Sequence, residues 1–240
     1  MPTDIHDPSY VGKVFDRCAG NYRTWAAITS FGFVRRWRQQ CIAALGNTAE
    51  ASPTVVDLMA GTGEIWRHVL RRYPDLSEIT AIDISSEMHR HAIERLHQER
   101  HDRIEHVRAD ALTHEFAGNQ ADLLISSFGL KTLNQDQQAQ LARQIHLILK
   151  LGGRFSLVEA TDPKGWLLRP LYRLYLDRGL PMIEKLVLRG ADDFSHLGVY
   201  TKTFSNGDYM ESALKIAGFQ DVRQERLFFG TACLLTGTKR

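Results

Sequence analysis

The stretch VVDLMAGTGEIW, residues 55 to 66, joins a β-branched apolar run to a glycine-rich turn. Ala60 opens that turn, and Gly61 and Gly63 have no side chain to keep a ligand away from the backbone. Doubly wound sheets bind ligands at this point, just beyond the carboxyl end of a strand. The spacing is neither the GxGxxG fingerprint of dinucleotide enzymes nor a GK[ST] phosphate loop. A turn with a purely structural role is the alternative.

Acidic residues accompany three successive predicted strands. Asp57 lies in the first, Asp83 ends the second and Asp110 follows the third. A carboxylate at position 83 can accept hydrogen bonds from both ribose hydroxyls of a nucleoside. The alternative is that Asp83 only caps the helix that follows it. Asp110 could accept from an adenine amino group. Without a phosphate loop, S-adenosylmethionine is favoured over a nucleotide, because a sulfonium needs electron-rich neighbours and no metal.

Catalytic candidates are less distinctive. His196, Tyr200 and Lys202 follow a long apolar segment and could orient or deprotonate a substrate, with a packing or surface role as the alternative. The pair Arg35-Arg36 indicates a solvated helix face, or else a contact for an anionic substrate group.

The ten histidines include no HExxH motif. His89, His91 and His97 share one predicted helix, where we expect them to face solvent, and the spacing of the first two puts them on different helix faces. We therefore predict no metal site.

Strand-like and helix-like patterns alternate from about residue 54. Strands are predicted at Thr54–Leu58, Ile79–Ile84, Ile104–Val107, Asp122–Ser127, Arg154–Glu159, Asp221–Phe228 and Thr231–Thr238. Helices are predicted at Glu64–Arg72, Ser86–Arg100, Gln135–Leu149 and Gly207–Ala217. This alternation predicts an α/β fold with a mostly parallel sheet, and the last two strands look like a hairpin. Seven strands that end in a hairpin resemble the class I methyltransferases, and this resemblance implies a Rossmann-like sheet whose last strand is antiparallel.

The whole chain, 1–240, is predicted to be one methyltransferase domain in four parts. These are an N-terminal helical cap (1–50), a cofactor-binding core (51–161), an inserted helical lid (162–205) and a final helix with a β-hairpin (206–240). The insertion is rich in Leu, Tyr and Trp, as in WLLRPLYRLYLDRGLPMIEKLVL. A helix pair docked on the core would give the same pattern as a lid over a hydrophobic substrate.

Composition excludes several classes of protein. Lys plus Arg number 30 and Asp plus Glu 28, so no overall charge favours binding to nucleic acid. No signal peptide opens the chain and no apolar run reaches about 18 residues, so we expect a soluble, cytoplasmic protein without integral membrane association. Three scattered cysteines suggest neither disulfides nor zinc. A homodimer is possible.

The motifs DLMAGTGE, AIDISSEM, SSFGLKTL and LKLGGRFSLVEAT resemble, in order, those of the ubiquinone/menaquinone biosynthesis C-methyltransferases, a class I S-adenosylmethionine-dependent family. VFDRCAGNYRTWAAITSFGFVRRW resembles that family's N-terminal helices, and AGFQDVRQERLFFGTACLLTGTK its closing helix end and hairpin. The resemblance covers nearly the whole chain.

Site residues follow from the resemblance position by position. It implies that Asp57, Gly61 and Gly63 hold the methionine portion, that Asp83 holds the ribose, and that Tyr22 closes the site. The other expected cofactor contacts are Asp110 and Ala111 beside the adenine, Ser127 at the sulfonium, and Ala60, Ile84 and Met88.

Two departures from the family pattern leave the acceptor open. The family has Arg-Asn where this chain has Lys131-Thr132, and its Tyr-Asp-x-x-Asn-Asp pattern is here Tyr-Arg-Thr-Trp-Ala-Ala from Tyr22 onward. We predict that Lys131, as a cation or a base, assists methyl transfer to a small hydrophobic acceptor that is aromatic, quinol-like or polyketide-like. Methylation of carbon is favoured over oxygen or nitrogen. A cyclase or decarboxylase that retains the cofactor, or a non-catalytic binding subunit, are the alternatives.

Overall fold

The computed structural model describes residues 4–187 and 195–240, and no side chains between 184 and 197. The strands are β1 (Thr54–Leu58), β2 (Glu78–Asp83), β3 (Ile104–Arg108), β4 (Ala121–Ser127), β5 (Leu149–Ala160), β6 (Gln220–Leu227) and β7 (Ala232–Thr238). They form one seven-stranded sheet in the order β3-β2-β1-β4-β5-β7-β6. Strands β1 to β5 pair in parallel, whereas β7 is antiparallel to both of its neighbours. The predicted fold class is confirmed.

Helices flank both faces of this sheet. They are α1 (Pro8–Cys18), α2 (Tyr22–Thr29), α3 (Phe33–Ala44), α4 (Trp66–Arg72), α5 (Ser86–Glu99), α6 (Gln135–Ile148), α7 (Arg169–Leu174), α8 (Leu180–Val187), α9 (Ser195–Phe204) and α10 (Asp208–Ile216). Consecutive residues of a strand point to opposite faces, so Val55 joins the core cluster beneath α3 and α4, and Val56 joins the one beneath α6 and α10. Because both faces of the sheet are buried, the central strands have mainly apolar sequences without an alternation of polar residues.

The helix α3 carries a complete inward stripe. Its buried positions are Val34, Trp37, Arg38, Cys41 and Ile42, spaced by three and four residues as one face of a helix requires. Four of these five side chains are apolar and pack on the sheet. The fifth is an arginine, which a buried face accepts only with polar partners.

The insertion after β5 is anchored at both its start and its middle. The buried Asp162 carboxylate accepts from Arg169 Nη2 and Arg173 Nη2, each at 2.7 Å, which fixes α7. The Tyr175 hydroxyl donates to the backbone oxygen of Thr29 at 3.0 Å, so the insertion is tied to α2. Within the described ranges, no helix is long and apolar enough to cross a membrane.

Candidate functional site

The carboxyl ends of four adjacent parallel strands meet at one edge of the sheet and border a cleft of about 830 Å³. Because the predicted cofactor contacts lie near the carboxyl ends of these strands, the fold brings most of them together. Eight of the predicted residues line this cofactor cleft: Ala60, Gly61, Asp83, Ile84, Met88, Asp110, Ala111 and Ser127.

Asp57 and Gly63 lie behind the lining of the cleft. Gly63 has a φ of +77°, and a Cβ there would lie 2.3 Å from the Trp66 ring, so only glycine lets that ring pack against the loop. In this position Trp66 Nε1 donates to Asp57 Oδ2 at 2.9 Å. The second glycine of the motif therefore serves to hold an indole against a buried carboxylate.

The carboxylate of Asp57 is incompletely satisfied. It is fully buried, and its Oδ1 atom has no hydrogen-bond partner among the described residues. Burial raises the pKa of Asp57 to about 8, opposed by the hydrogen bond from Trp66. A buried acceptor of this kind needs a cationic donor, and the amino group of an amino-acid ligand is one.

Asp83 is held by backbone donors. Gly61 N donates to its Oδ2 at 2.8 Å and Ser85 N to its Oδ1 at 2.9 Å. Burial raises the pKa of Asp83 to about 6, although both of these hydrogen bonds act to lower it. Since Ser85 itself caps α5 by accepting from Met88 N, the carboxylate is not the helix cap. Its position in the cleft lining fits the expected contact with a ribose.

A second cavity, of about 990 Å³, adjoins the cleft and is called here the acceptor cavity. Tyr22 and Phe128 line both spaces and so form the boundary between them. The remaining aromatic walls are Trp25, Phe31, Trp37, Trp166, Tyr172 and Phe228. They come from the N-terminal helices, the insertion and the β6–β7 connection, so three distant parts of the chain build one aromatic enclosure.

Lys131 reaches the acceptor cavity as half of a buried ion pair. Its Nζ donates to Glu159 Oε1 at 3.0 Å and to the backbone oxygen of Phe128 at 2.6 Å. The backbone nitrogen of Lys131 donates to the other Glu159 oxygen at 3.0 Å. A bidentate carboxylate therefore fixes both the backbone and the ammonium of this lysine.

These features, a nucleoside-sized cleft with a buried acid beside an aromatic cavity, are those of a small-molecule methyltransferase. The model of the ubiE/COQ5 methyltransferase family matches residues 3–239. The chain belongs to this family. A demethylmenaquinone methyltransferase of Lactiplantibacillus plantarum is 30% identical over 230 residues, which cover 95% of each chain. The ubiquinone/menaquinone biosynthesis C-methyltransferase UbiE of Shewanella halifaxensis is 28% identical over 230 residues, 95% of this chain and 90% of that protein.

Solved structures share the fold at lower identity. Phosphoethanolamine N-methyltransferase 2 of Haemonchus contortus, in complex with S-adenosyl-L-methionine, matches with a TM-score of 0.63 and 16% identity over 84% of this chain. The match covers 52% of that protein, so this chain spans about half of its length. Human N-acetylserotonin methyltransferase in complex with the same cofactor gives a TM-score of 0.58 at 20% identity, over 91% of this chain and 57% of that one. The family and its fold confirm the expected enzyme class and S-adenosylmethionine as the cofactor.

Two of the predicted catalytic residues are not placed at this methyltransferase site. Tyr200 lines neither cavity, and its hydroxyl donates to the backbone oxygen of Ile5 at 2.6 Å. Its geometry therefore corrects our expectation: Tyr200 ties α9 to the N-terminal segment. The backbone of His196 belongs to α9, but its side chain lies outside the described residues. Lys202, the third residue of that group, pairs with Asp177.

His89 also differs from expectation. The side chain does not simply face solvent, because its Nδ1 lies 2.8 Å from Nδ1 of His106. The Nε2 atom of His106 is in turn 3.2 Å from the backbone oxygen of Gly61. Burial, and then the proximity of His89, lower the pKa of His106 to about 4. A neutral His106 thus contacts the glycine loop through the backbone oxygen of Gly61. The described residues contain no group of three metal-ligating side chains.

Sequence reasoning missed three contributors to the site. Trp66 holds Asp57, Phe128 separates the two cavities, and Arg38 lines the cofactor cleft. The periodicity of α3 could have revealed Arg38, because it shares the spacing of the buried apolar stripe, whereas Arg35 and Arg36 are exposed.

We predict that cofactor binding is coupled to deprotonation of Asp57. The cofactor's ammonium would favour the ionised carboxylate, so binding below the raised pKa of about 8 must release a proton. The affinity for S-adenosylhomocysteine should therefore rise by up to about tenfold for each pH unit between about pH 6.5 and 8. Titration calorimetry in buffers of different ionisation enthalpy measures both the affinity and the proton release.

The Asp57→Asn variant should bind more weakly and lose this pH slope. Asp75→Asn, which removes an exposed acid, is the matched control and should keep the slope. An unchanged slope in Asp57→Asn would show that another group is responsible.

Proposed function

We propose that the protein transfers the methyl group of S-adenosylmethionine to a ring carbon of a hydrophobic, quinol-type aromatic acceptor held in the acceptor cavity. The observation that carries this proposal is the aromatic enclosure adjoining the cofactor cleft across Tyr22 and Phe128. The relatives whose names include demethylmenaquinone and ubiquinone/menaquinone support the quinol class.

The walls of the acceptor cavity suit a flat apolar ring. Eight aromatic side chains offer faces and edges for stacking, each such contact stabilising by about 0.5–1.5 kcal/mol beyond its buried area. Polar groups are few, and Lys131 is the cation among the described lining residues. A strongly polar acceptor would lose its hydration without replacement hydrogen bonds in such a space.

Methyl transfer by this chain would rest mainly on positioning. The cofactor supplies a methyl group activated by a positively charged sulfur. Tyr22 and Phe128 occupy the boundary across which donor and acceptor must meet, and both are buried, so water is excluded there. Holding the reactants in line in such a site can lower a barrier by roughly 7–11 kcal/mol. The bound cofactor would supply the methyl group to the ring carbon and leave as S-adenosylhomocysteine, and the methylated ring would regain its aromaticity by giving the proton of that carbon to solvent.

Lys131 would stabilise the acceptor's phenolate. Among the described residues, its ammonium donates to Glu159 and to the backbone oxygen of Phe128, which uses two of its three N–H groups, and the side chain lines the cavity. A third N–H directed at an acceptor oxygen would favour the ionised, more nucleophilic ring. In this role Lys131 acts as a fixed cation, and Glu159 is the residue that positions it.

The insertion would close the acceptor cavity. Trp166 and Tyr172 contribute to its walls, and Leu176 and Leu180 pack with Tyr22 and the other N-terminal residues in one apolar cluster. The roof is thus shared between α1, α2 and the insertion, as a lid over a hydrophobic substrate requires.

Incubation with labelled S-adenosylmethionine and a reduced, short-chain demethylated naphthoquinol should give a product heavier by one methylene. Mass spectrometry detects the transfer, and NMR distinguishes a ring carbon–methyl from a methoxy group. A methoxy product would contradict carbon methylation. Consumption of the acceptor without gain of the label would favour a cyclase or decarboxylase, and binding of cofactor without any turnover would favour a binding subunit.

The Lys131→Met variant should lower kcat by about 10²- to 10³-fold, the usual effect of losing one donor to a developing oxyanion. Because it also leaves Glu159 buried and unpaired, it should destabilise the fold by roughly 3–5 kcal/mol. The double variant Lys131→Met/Glu159→Gln removes both charges and should recover most of the stability while remaining slow. Recovery of turnover in the double variant would refute the role.

A pH profile separates this electrostatic role from a structural one. Without the cation, the acceptor's phenol should ionise at higher pH. In the double variant, the rise of kcat/KM with pH should therefore occur at a higher pH than in the wild type. Lys164→Met removes an exposed lysine and should change neither the profile nor kcat.

Substitution of Trp166 tests the lid. Its ring stacks on Phe229 at 5.5 Å and lines the acceptor cavity, but not the cofactor cleft. Trp166→Ala should raise the acceptor KM by about 5- to 30-fold, the equivalent of about 1–2 kcal/mol of lost apolar burial, and leave S-adenosylhomocysteine affinity unchanged. Leu167→Ala, at a neighbour that is 90% exposed, is the control. Equal loss of both affinities, with a lower melting temperature, would mean that the segment only packs on the core.

A further inference from the structure

The buried arginine of α3 borders the cofactor cleft. Arg38 is 6% exposed and lines the cofactor cleft together with Ala60 and Gly61. It does not line the acceptor cavity. Two other arginines of the same helix, at positions 35 and 36, are exposed, so the inward orientation is particular to position 38.

The guanidinium of Arg38 is poorly paired for a buried cation. Its described ion pair is with Glu64 Oε2 at 3.6 Å, too long for a hydrogen bond, and its Nε atom is buried without a partner. The group also lies over the Phe128 ring, 5.5 Å from the centroid. Since arginine stays charged in proteins, its unused donors have to be satisfied by something in the cleft.

An unsatisfied acceptor lies close to this unsatisfied donor. Asp57 Oδ1 is the buried carboxylate oxygen without a partner, and the charge of Arg38 acts to lower the pKa of Asp57. Arg38 lines the cleft and Asp57 lies just behind its lining, so an incompletely paired cation and an unpartnered carboxyl oxygen are near the same part of the cleft. That pair is complementary to a zwitterion, whose ammonium and carboxylate are attached to the same carbon.

We propose that Arg38 binds the α-carboxylate of the methionine moiety of S-adenosylmethionine, while Asp57 Oδ1 accepts from the α-amino group. The planar fork of a guanidinium donates two parallel hydrogen bonds to a carboxylate, an arrangement that a lysine cannot make. Asp83 and Asp110, which also line the cleft, suit the uncharged ribose and adenine. The amino-acid end of the cofactor is thus the part that matches two opposite charges.

Two ligands that differ in one group test this assignment by binding alone, so the result does not depend on the proposed acceptor. S-adenosylhomocysteine carries the carboxylate; its decarboxylated analogue keeps the amino group and the nucleoside. Calorimetry on the wild-type protein should show weaker binding of the analogue by about 10- to 100-fold, the range for a hydrogen bond to a charged group. Arg38→Met should lose a similar factor for S-adenosylhomocysteine and nothing for the analogue.

The matched control is Arg36→Met, at an exposed position of α3, which should bind both ligands as the wild type does. A melting curve without ligand reports whether Arg38→Met folds. If it does not, Arg38→Lys provides the same test, with a loss again confined to the ligand that carries the carboxylate. Equal losses for both ligands, or no loss for either, would overturn the assignment.

Discussion

The buried carboxylate of Asp57 is the constraint on which the cofactor half of the molecule depends. Removing a carboxylate from water costs several kcal/mol, and here the one described hydrogen bond comes from Trp66, whose ring reaches it because Gly63 has no side chain. The raised pKa means that, without ligand, ionisation of Asp57 lowers folding stability as the pH rises from the ordinary aspartate range toward about 8. A cationic donor at the free Oδ1 atom would offset that cost, so the ionisation of Asp57 links the glycine loop and α4 to whatever binds there.

The acceptor half is built by a different principle. Its walls come from α2, α3, the insertion and the β6–β7 connection, and few of them are held by the sheet itself. Tertiary contacts replace the sheet: the Asp162 carboxylate binds two arginines of α7, and the Tyr175 hydroxyl reaches the backbone of α2. The acceptor cavity is therefore shaped mainly by segments outside the sheet, together with Phe128 and Lys131, which follow β4.

This division explains what the sequence could and could not predict. Asp83 and Asp110 were predictable because parallel strands bring their carboxyl ends to one edge whatever the details of packing. Tyr200 was assigned wrongly because its direction depends on where α9 meets the N-terminal segment, which no local pattern records. Arg38 was overlooked beside the more conspicuous Arg35-Arg36 pair, although helix periodicity places it on the buried stripe. His89 shows the reverse error, since a polar helix face still met a histidine on β3.

The distribution of charge suits a donor that loses its own charge as it reacts. During methyl transfer the positive charge on sulfur disappears, so a carboxylate beside the sulfur would stabilise the ground state more than the transition state and slow the reaction. Three buried acids of this region are already engaged by donors: Trp66 donates to Asp57, the backbone of Gly61 and Ser85 to Asp83, and Lys131 to Glu159. Where the two cavities meet, Tyr22 and Phe128 present aromatic surfaces instead. Aromatic faces attract a cation more weakly than a carboxylate does, and they exclude water. A sulfonium placed at this boundary would therefore meet surroundings that oppose the loss of its charge less than a carboxylate would.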